Sequence, residues 1–202
     1  RSIREAFKRL EAKGLVQVSQ GRRAIVKSNN LDQFVESLSV SLFSNHNQDR
    51  KMMLDLISVR TTIEVSATRE LSRDPQRMLV VRTLDRFVTR MEQLLPRLED
   101  PKDLEALQSF RQTDLNFHKT LINSNANIIL NSIYENLAPL LYSSLEKIKE
   151  TFTESKKKVN EYRYLIEALE NGQTDLAVAL TLVNLTNLRN KFETMDVTEI
   201  PG

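Results

Sequence analysis

RSIREAFKRLEAKGLVQVSQGRRAIVKS, residues 1–28, is where this chain changes from a helical to a strand pattern. Residues 2–13 put Ile3, Ala6, Phe7 and Leu10 on one side of a helix, and Gly14 sits where a C-cap glycine ends one. Residues 15–19 (LVQVS) alternate as a strand does. Gln20-Gly21-Arg22-Arg23 turns the chain, and residues 24–27 (AIVK) return as a second strand. The pattern predicts a helix followed by a hairpin with a basic tip.

The charge agrees with a separate module. Residues 1–28 hold eight Lys or Arg against two Glu, an excess of six in a chain of net charge +2, which leaves the rest at −4. A basic end on a slightly acidic body reads as a polyanion-binding element joined to something else, with a solvated basic tail as the alternative. A helix with a basic-tipped hairpin is the second half of a winged helix-turn-helix.

Beyond it, 202 residues allow one large domain, or one ordinary domain plus a small one. Only four glycines and five prolines are available for turns, which disfavours an all-β fold. No apolar run reaches the ~20 residues of a membrane span, and no secretory signal opens the sequence. Cysteine is absent, which removes disulfides and thiolate metal sites and fits a cytoplasmic protein. Residues 28–50, rich in Asn, Ser and Gln at their ends, read as a linker with a short helix over 31–42. From Lys51 the period is helical almost throughout. Helices are predicted near 51–72, 75–96, 101–123, 126–151, 156–171 and 173–195. Breaks fall at Pro75, Pro101, the Asn-rich residues 123–127 and Asn171-Gly172. The charged residues 147–158 read as an irregular junction. The expected fold is mostly α: a partial winged helix-turn-helix at 1–28, a linker at 29–50 and an all-α helical bundle at 51–196.

The bundle carries polar residues where its pattern wants apolar ones. Asp114 and His118 stand four apart on one helix face, beside Phe110, Phe117, Leu121 and Ile122. Tyr162 shares a face with Val159, Leu165, Ile166 and Leu169, and Asn184 with Ala177, Leu180 and Leu188. Four polar side chains on three apolar faces are unfavourable unless satisfied. Either each is satisfied separately, or they converge on a polar pocket inside the bundle.

Residues 1–16 (RSIREAFKRLEAKGLV) resemble the recognition helix and the start of the wing in the GntR family of bacterial regulators, whose pattern is approximately S-R-x-x-L-R-E-A-L-x-x-L-x-x-x-G-L-V. The sequence opens inside that motif, and the first two helices of the family's DNA-binding domain lie outside it. The resemblance implies that double-stranded operator DNA is a partner. A recognition helix enters the major groove by its first turn, so Arg1, Ser2 and Arg4 are the expected contacts: Arg4 to phosphate, Arg1 and Ser2 to base edges. The wing tip, Gln20, Gly21, Arg22 and Arg23, is expected along the minor groove or backbone. For Lys8 and Lys13, solvated surface and phosphate contact stand equal.

The segment 54–184 resembles the all-helical effector domain of the FadR subfamily, the FCD domain. Ser58-Val59-Arg60 with Ile63-Glu64 is similar to its opening. Asp114-Leu115-Asn116-Phe117-His118 matches D-x-x-F-H, Asn125-Ala126-Asn127 approximates S-x-N, and Glu161-Tyr162-Arg163 is similar to E-H-R. In many members one Asp and three His bind a divalent metal that helps to hold a carboxylate effector. Here Asp114 and His118 match two of those ligands, while the other two positions fall on Tyr162 and Asn184. A phenol and a carboxamide are poor ligands for such metals, so the expectation is no metal cofactor, with Asp114 and His118 as residual donors to a degraded site. Tyr162, Asn184 and His118 would then hydrogen-bond a small organic acid directly. Arg60 would supply charge to its carboxylate unless it is consumed by an ion pair with Glu64. The resemblance implies a non-enzymatic, homodimeric transcription regulator, commonly a repressor relieved by its ligand. The rivals are a helical enzyme using Asp114 and His118 as an acid–base pair, and a ligand-free interaction bundle.

Overall fold

The structure is a computed structural model that describes residues 2–12, 16–17, 25–26, 50–145 and 150–194. Contacts divide the chain into two units, Arg1–Asn47 and Gln48–Gly202. In the first, α1 (Ser2–Ala12) precedes two short strands, β1 (Val16–Gln17) and β2 (Ile25–Val26). The strands are antiparallel, with Val16 opposite Val26 and Gln17 opposite Ile25. The predicted hairpin is therefore present, with two paired positions described; its tip at residues 20–23 lies outside the described residues. Ile3 and Phe7, on the apolar side of α1, are exposed. The short helix expected over 31–42 also lies outside them.

The second unit is helical throughout its described residues. It contains α2 (Arg50–Arg73), α3 (Met78–Leu94) with a 3-10 extension (Leu95–Glu99), α4 (Leu104–Asn123), α5 (Ile128–Leu145), α6 (Phe152–Glu170) and α7 (Thr174–Thr194). These helices pair as α2 with α7 and α4, α3 with α4 and α6, and α6 with α7, while α5 packs on α2 and α4. The main core joins Val81, Leu84, Val88 and Met91 of α3 to Phe110, Phe117 and Leu121 of α4 and Val159, Ile166 and Leu169 of α6. Spacings of three, four and seven put each set on one helix face, which is why these segments are helices that pack rather than isolated ones. A second cluster, Met53, Leu56 and Ile57 with Leu137, Leu141 and Phe192, ties α2 to α5 and α7.

Local signals set the helix ends. The Asp103 side chain accepts from the Ala106 amide and starts α4. Thr151 and Glu154 form a reciprocal capping box at the start of α6, which begins at Phe152 rather than near residue 156 as expected. At the other end of α6, Gly172 takes φ +65°. Its amide donates to the Leu169 carbonyl and that of Gln173 to the Ala168 carbonyl, which is a Schellman closure. Arg77 caps the same end by donating to the carbonyls of Leu169 and Glu170. No described helix is long and apolar enough to cross a membrane.

Candidate functional site: a buried polar chain in the helical bundle

Helices α2, α4 and α6 each send polar side chains into one interior space, and these form a continuous chain. Arg60 and Glu64 lie one turn apart on α2, and the Arg60 Nε donates to Glu64 at 2.6 Å. The other Glu64 oxygen meets His118 Nδ1 of α4 at 2.9 Å. His118 Nε2 lies 2.7 Å from the Tyr162 hydroxyl of α6, which donates to Asp114 of α4 at 2.7 Å. The other Asp114 oxygen faces the Lys158 ammonium, one turn before Tyr162 on α6, at 3.6 Å, and Lys158 also contacts Glu150 at 3.0 Å. Arg60, Glu64, His118 and Tyr162 are all nearly inaccessible. The Tyr162 ring stacks on Phe117 with centroids 4.4 Å apart, so its hydroxyl is aimed by an aromatic pair.

Hydrogen-bond directions fix the protons. A phenol has one proton, and Tyr162 gives it to Asp114, so His118 Nε2 must donate to the phenol oxygen. Burial raises the Glu64 pKa, but Arg60 and His118 outweigh it and hold the carboxyl below its ordinary range. Glu64 is thus an acceptor, and His118 Nδ1 must donate too. Both ring nitrogens thus face acceptors, the arrangement that suits an imidazolium. Burial and Arg60 oppose that charge; Glu64 and Asp114 outweigh them and raise the His118 pKa. Burial likewise raises Asp114, but Lys158, His118 and Tyr162 together press it far below the usual carboxylate range. Burial and the Asp114 charge push the Tyr162 phenol up, so it stays a donor.

A cavity of about 650 Å³ opens onto this chain. Arg60, Asp114, His118, Tyr142, Lys158, Tyr162 and, from α7, Asn184 line it. Only Nε of Arg60 is used by Glu64, and no hydrogen bond from its terminal nitrogens occurs among the described residues. The guanidinium carbon stands 5.8 Å from the Tyr142 ring centroid. The hydroxyls of Tyr134 and Tyr142 on α5 are buried close to each other, with no further hydrogen-bond partner among the described residues.

Three of the polar residues expected to meet, Asp114, His118 and Tyr162, do so directly. Asn184 lines the same cavity but bonds elsewhere, donating to Glu161 at 3.4 Å. Arg60 does form the ion pair with Glu64 that sequence left open, through Nε alone, and its side chain also lines the cavity. Glu64, Lys158 and Glu150 were missed as members of the chain. Lys158 had a legible signal, since it precedes Tyr162 by four on one helix face. Of the residues expected on DNA, Ser2 and Arg4 fall in the first turn of α1. Arg1, Gln20, Gly21, Arg22 and Arg23 lie outside the described residues.

Residues 55–187 match the FCD domain. The chain belongs to the FCD-domain family. The HTH-type transcriptional regulator LutR of Bacillus subtilis is 24% identical over 195 residues, covering 94% of this chain and 82% of that protein. Among solved structures, Streptococcus agalactiae GntR aligns with a TM-score of 0.54 at 18% identity, over 93% of this chain and 80% of that one. E. coli McbR/YncC aligns with a TM-score of 0.52 at 16% identity, over 95% and 84%. These similarities cover more of the chain than the FCD domain does, and the chain is a GntR-type regulator with an FCD domain.

The FCD resemblance brings a divalent metal into question at Asp114 and His118. The residues here do not fit one. Both His118 nitrogens are engaged, by Glu64 and Tyr162, so a metal would have to displace one of those partners as well as a proton. Tyr162 and Asn184 stand where two further imidazoles would be required. Among the described residues no group of three or more His, Cys, Asp or Glu is placed to hold a metal ion.

Proposed function

We propose that the FCD domain of this regulator binds a small organic acid, a carboxylate or sugar acid, and that occupancy releases the protein from its operator, so that it acts as a repressor. The observation that carries the reading is the cavity of about 650 Å³ lined by Arg60, whose Glu64 pairing uses Nε alone, together with Tyr142 and Asn184. That volume is of the size that small-ligand sites use, and a few convergent polar groups on an otherwise apolar wall are what orient a ligand. A guanidinium suits a carboxylate, and the Asn184 amide on the same wall can meet hydroxyl or carboxyl oxygens; Tyr162 and His118 would join only by exchanging a partner within the chain. In this reading the site works without metal. The protein is a cytoplasmic homodimer, with Arg1, Ser2 and Arg4 in the major groove and Gln20, Gly21, Arg22 and Arg23 on the wing, as two-fold operators require.

Effector control follows if the acid binds the DNA-competent and DNA-incompetent states with different affinity. An acid–base role for Asp114 and His118 is the rival reading; against it, each is already engaged within the chain, Asp114 by Tyr162 and Lys158 and His118 by Glu64 and Tyr162. The test is a thermal-shift screen of carboxylates and sugar acids on the full chain, each with chelator and with added zinc or nickel. A stabilising acid in chelator, which also lowers operator affinity in a gel-shift titration, is the expected result. Hits that all require metal would overturn the metal-free reading. No hits at all would favour a ligand-free interaction bundle, and turnover of a hit would favour the enzyme.

A further inference from the structure

One member of the buried chain has no place in the family pattern quoted above. Lys158 rises from the second turn of α6 with its ammonium between two carboxylates, Asp114 at 3.6 Å and Glu150 at 3.0 Å. Its side chain is 24% exposed, against 14% and 11% for its partners, so this is not a pair in open water. The Phe110 ring lies beneath it, with the centroid 5.8 Å from Nζ. Asp114 is the residue to which a metal would be expected to bind, and its two oxygens are divided between the Tyr162 proton and this ammonium.

We propose that Lys158 is the resident cation of the Asp114 site, a tethered ammonium that takes the place of a divalent metal and keeps such metals out. The proposal rests on the metal-free reading above and adds a residue and a mechanism to it. A divalent ion approaching Asp114 must displace the ammonium or bind within a few ångströms of it. At that range like charges repel by far more than the thermal energy, even with partial solvent screening. Glu150 strengthens the arrangement, because a second carboxylate holds the ammonium in place when Asp114 is shared with Tyr162. The ammonium thereby offsets one of the two carboxylates beside it through the chain itself, independent of metal supply. Burial lowers the Lys158 pKa, but Asp114 and Glu150 outweigh it and keep the amine charged.

The test uses metal ions alone, zinc, nickel and manganese, on the full chain, by equilibrium dialysis with elemental analysis. The background variant is Tyr162→His/Asn184→His, which restores imidazoles at the two substituted positions. The wild type should retain no ion. The double variant should bind weakly, and adding Lys158→Met should tighten binding by about tenfold or more, whereas adding Lys158→Arg should not. Equal affinity with and without Lys158→Met overturns the role of Lys158, as does tight binding in the Lys158→Arg protein or no binding in any variant. A wild type that itself retains one ion per subunit overturns the metal-free reading as well, so the two failures are distinguishable. If the combined variants do not fold, Tyr162→His alone serves as the background: zinc or nickel should raise the melting temperature of Tyr162→His/Lys158→Met and leave Tyr162→His/Lys158→Arg unmoved, and equal rises, or no rise in either, would overturn the proposal.

Discussion

Arg60 and Arg163 each gather carboxylates in this bundle under opposite conditions. Arg163, on α6, reaches across to α3 and spends its donors there. Its Nε and Nη2 each meet a Glu92 oxygen at 2.6 Å, Nη2 also donates to Thr89, and Nη1 pairs with Asp85. Its side chain is 33% exposed and its carboxylate partners more so. Arg60 is 3% exposed, spends Nε alone on Glu64 and lines a cavity. The outer cluster closes on itself and behaves as a clamp between two helices. The inner one is buried yet unfinished, which is costly for a scaffold and sensible for a binding site. Tyr162 and Arg163 are sequence neighbours, so one step along α6 separates the two roles.

The comparison breaks most visibly at the shared carboxylates. Glu64→Gln removes the charge that Arg60 and His118 both face, and should cost about 3–5 kcal/mol, read by urea or guanidinium unfolding. Next is Tyr162→Phe. It keeps the stack on Phe117 but strands Asp114 and His118, so a loss of about 1–3 kcal/mol is expected, with the exposed Tyr164→Phe as an unaffected control. Third is a pH dependence carried by the inner cluster. The pKa values of Glu64 and Asp114 are lowered by folding, so their stabilisation is complete above the ordinary values of 4.5 and 3.8 and is lost as pH falls through the folded values. That of His118 is raised, so its contribution is complete below 6.5 and is lost as pH rises through the folded value. The melting temperature should therefore fall on both sides, and Glu64→Gln should flatten the alkaline limb. The smallest effect belongs to the clamp: Glu92→Gln should cost about 1 kcal/mol or less and shrink further in high salt. Equal costs for Glu64→Gln and Glu92→Gln would dissolve the distinction between the two sites.

Most of the fold was legible because helical period is a local signal. The six predicted helices of the bundle correspond to α2 through α7, with ends displaced by a few residues. The largest error fell at residues 145–156, where dense charge looked like a frayed junction. The helix α5 is described as far as Leu145, residues 146–149 lie outside the described residues, and a Thr151–Glu154 capping box starts α6 earlier than expected. That box was readable from spacing alone. The inward direction of Asp114, His118 and Tyr162 was legible for the same reason, as each sits among apolar residues of its own face. Their bonding was not. Which partner each polar group takes depends on how α2, α4 and α6 cross, and no single-helix period encodes that. Hence Asn184 was grouped with the chain although it bonds Glu161, and Glu64 and Lys158 were passed over although both are members.

The central claim is that His118 is a doubly protonated donor in a closed polar chain, with no lone pair for a metal. The most direct measurement is ring-nitrogen NMR of the histidine-labelled protein in chelator at neutral pH. Only two histidines are present, and His46→Gln assigns the pair. Two protonated, hydrogen-bonded ring nitrogens are predicted for His118, with the Nε2 signal displaced in Tyr162→Phe. A bare nitrogen on a neutral His118 ring would contradict the account and reopen the site to metal.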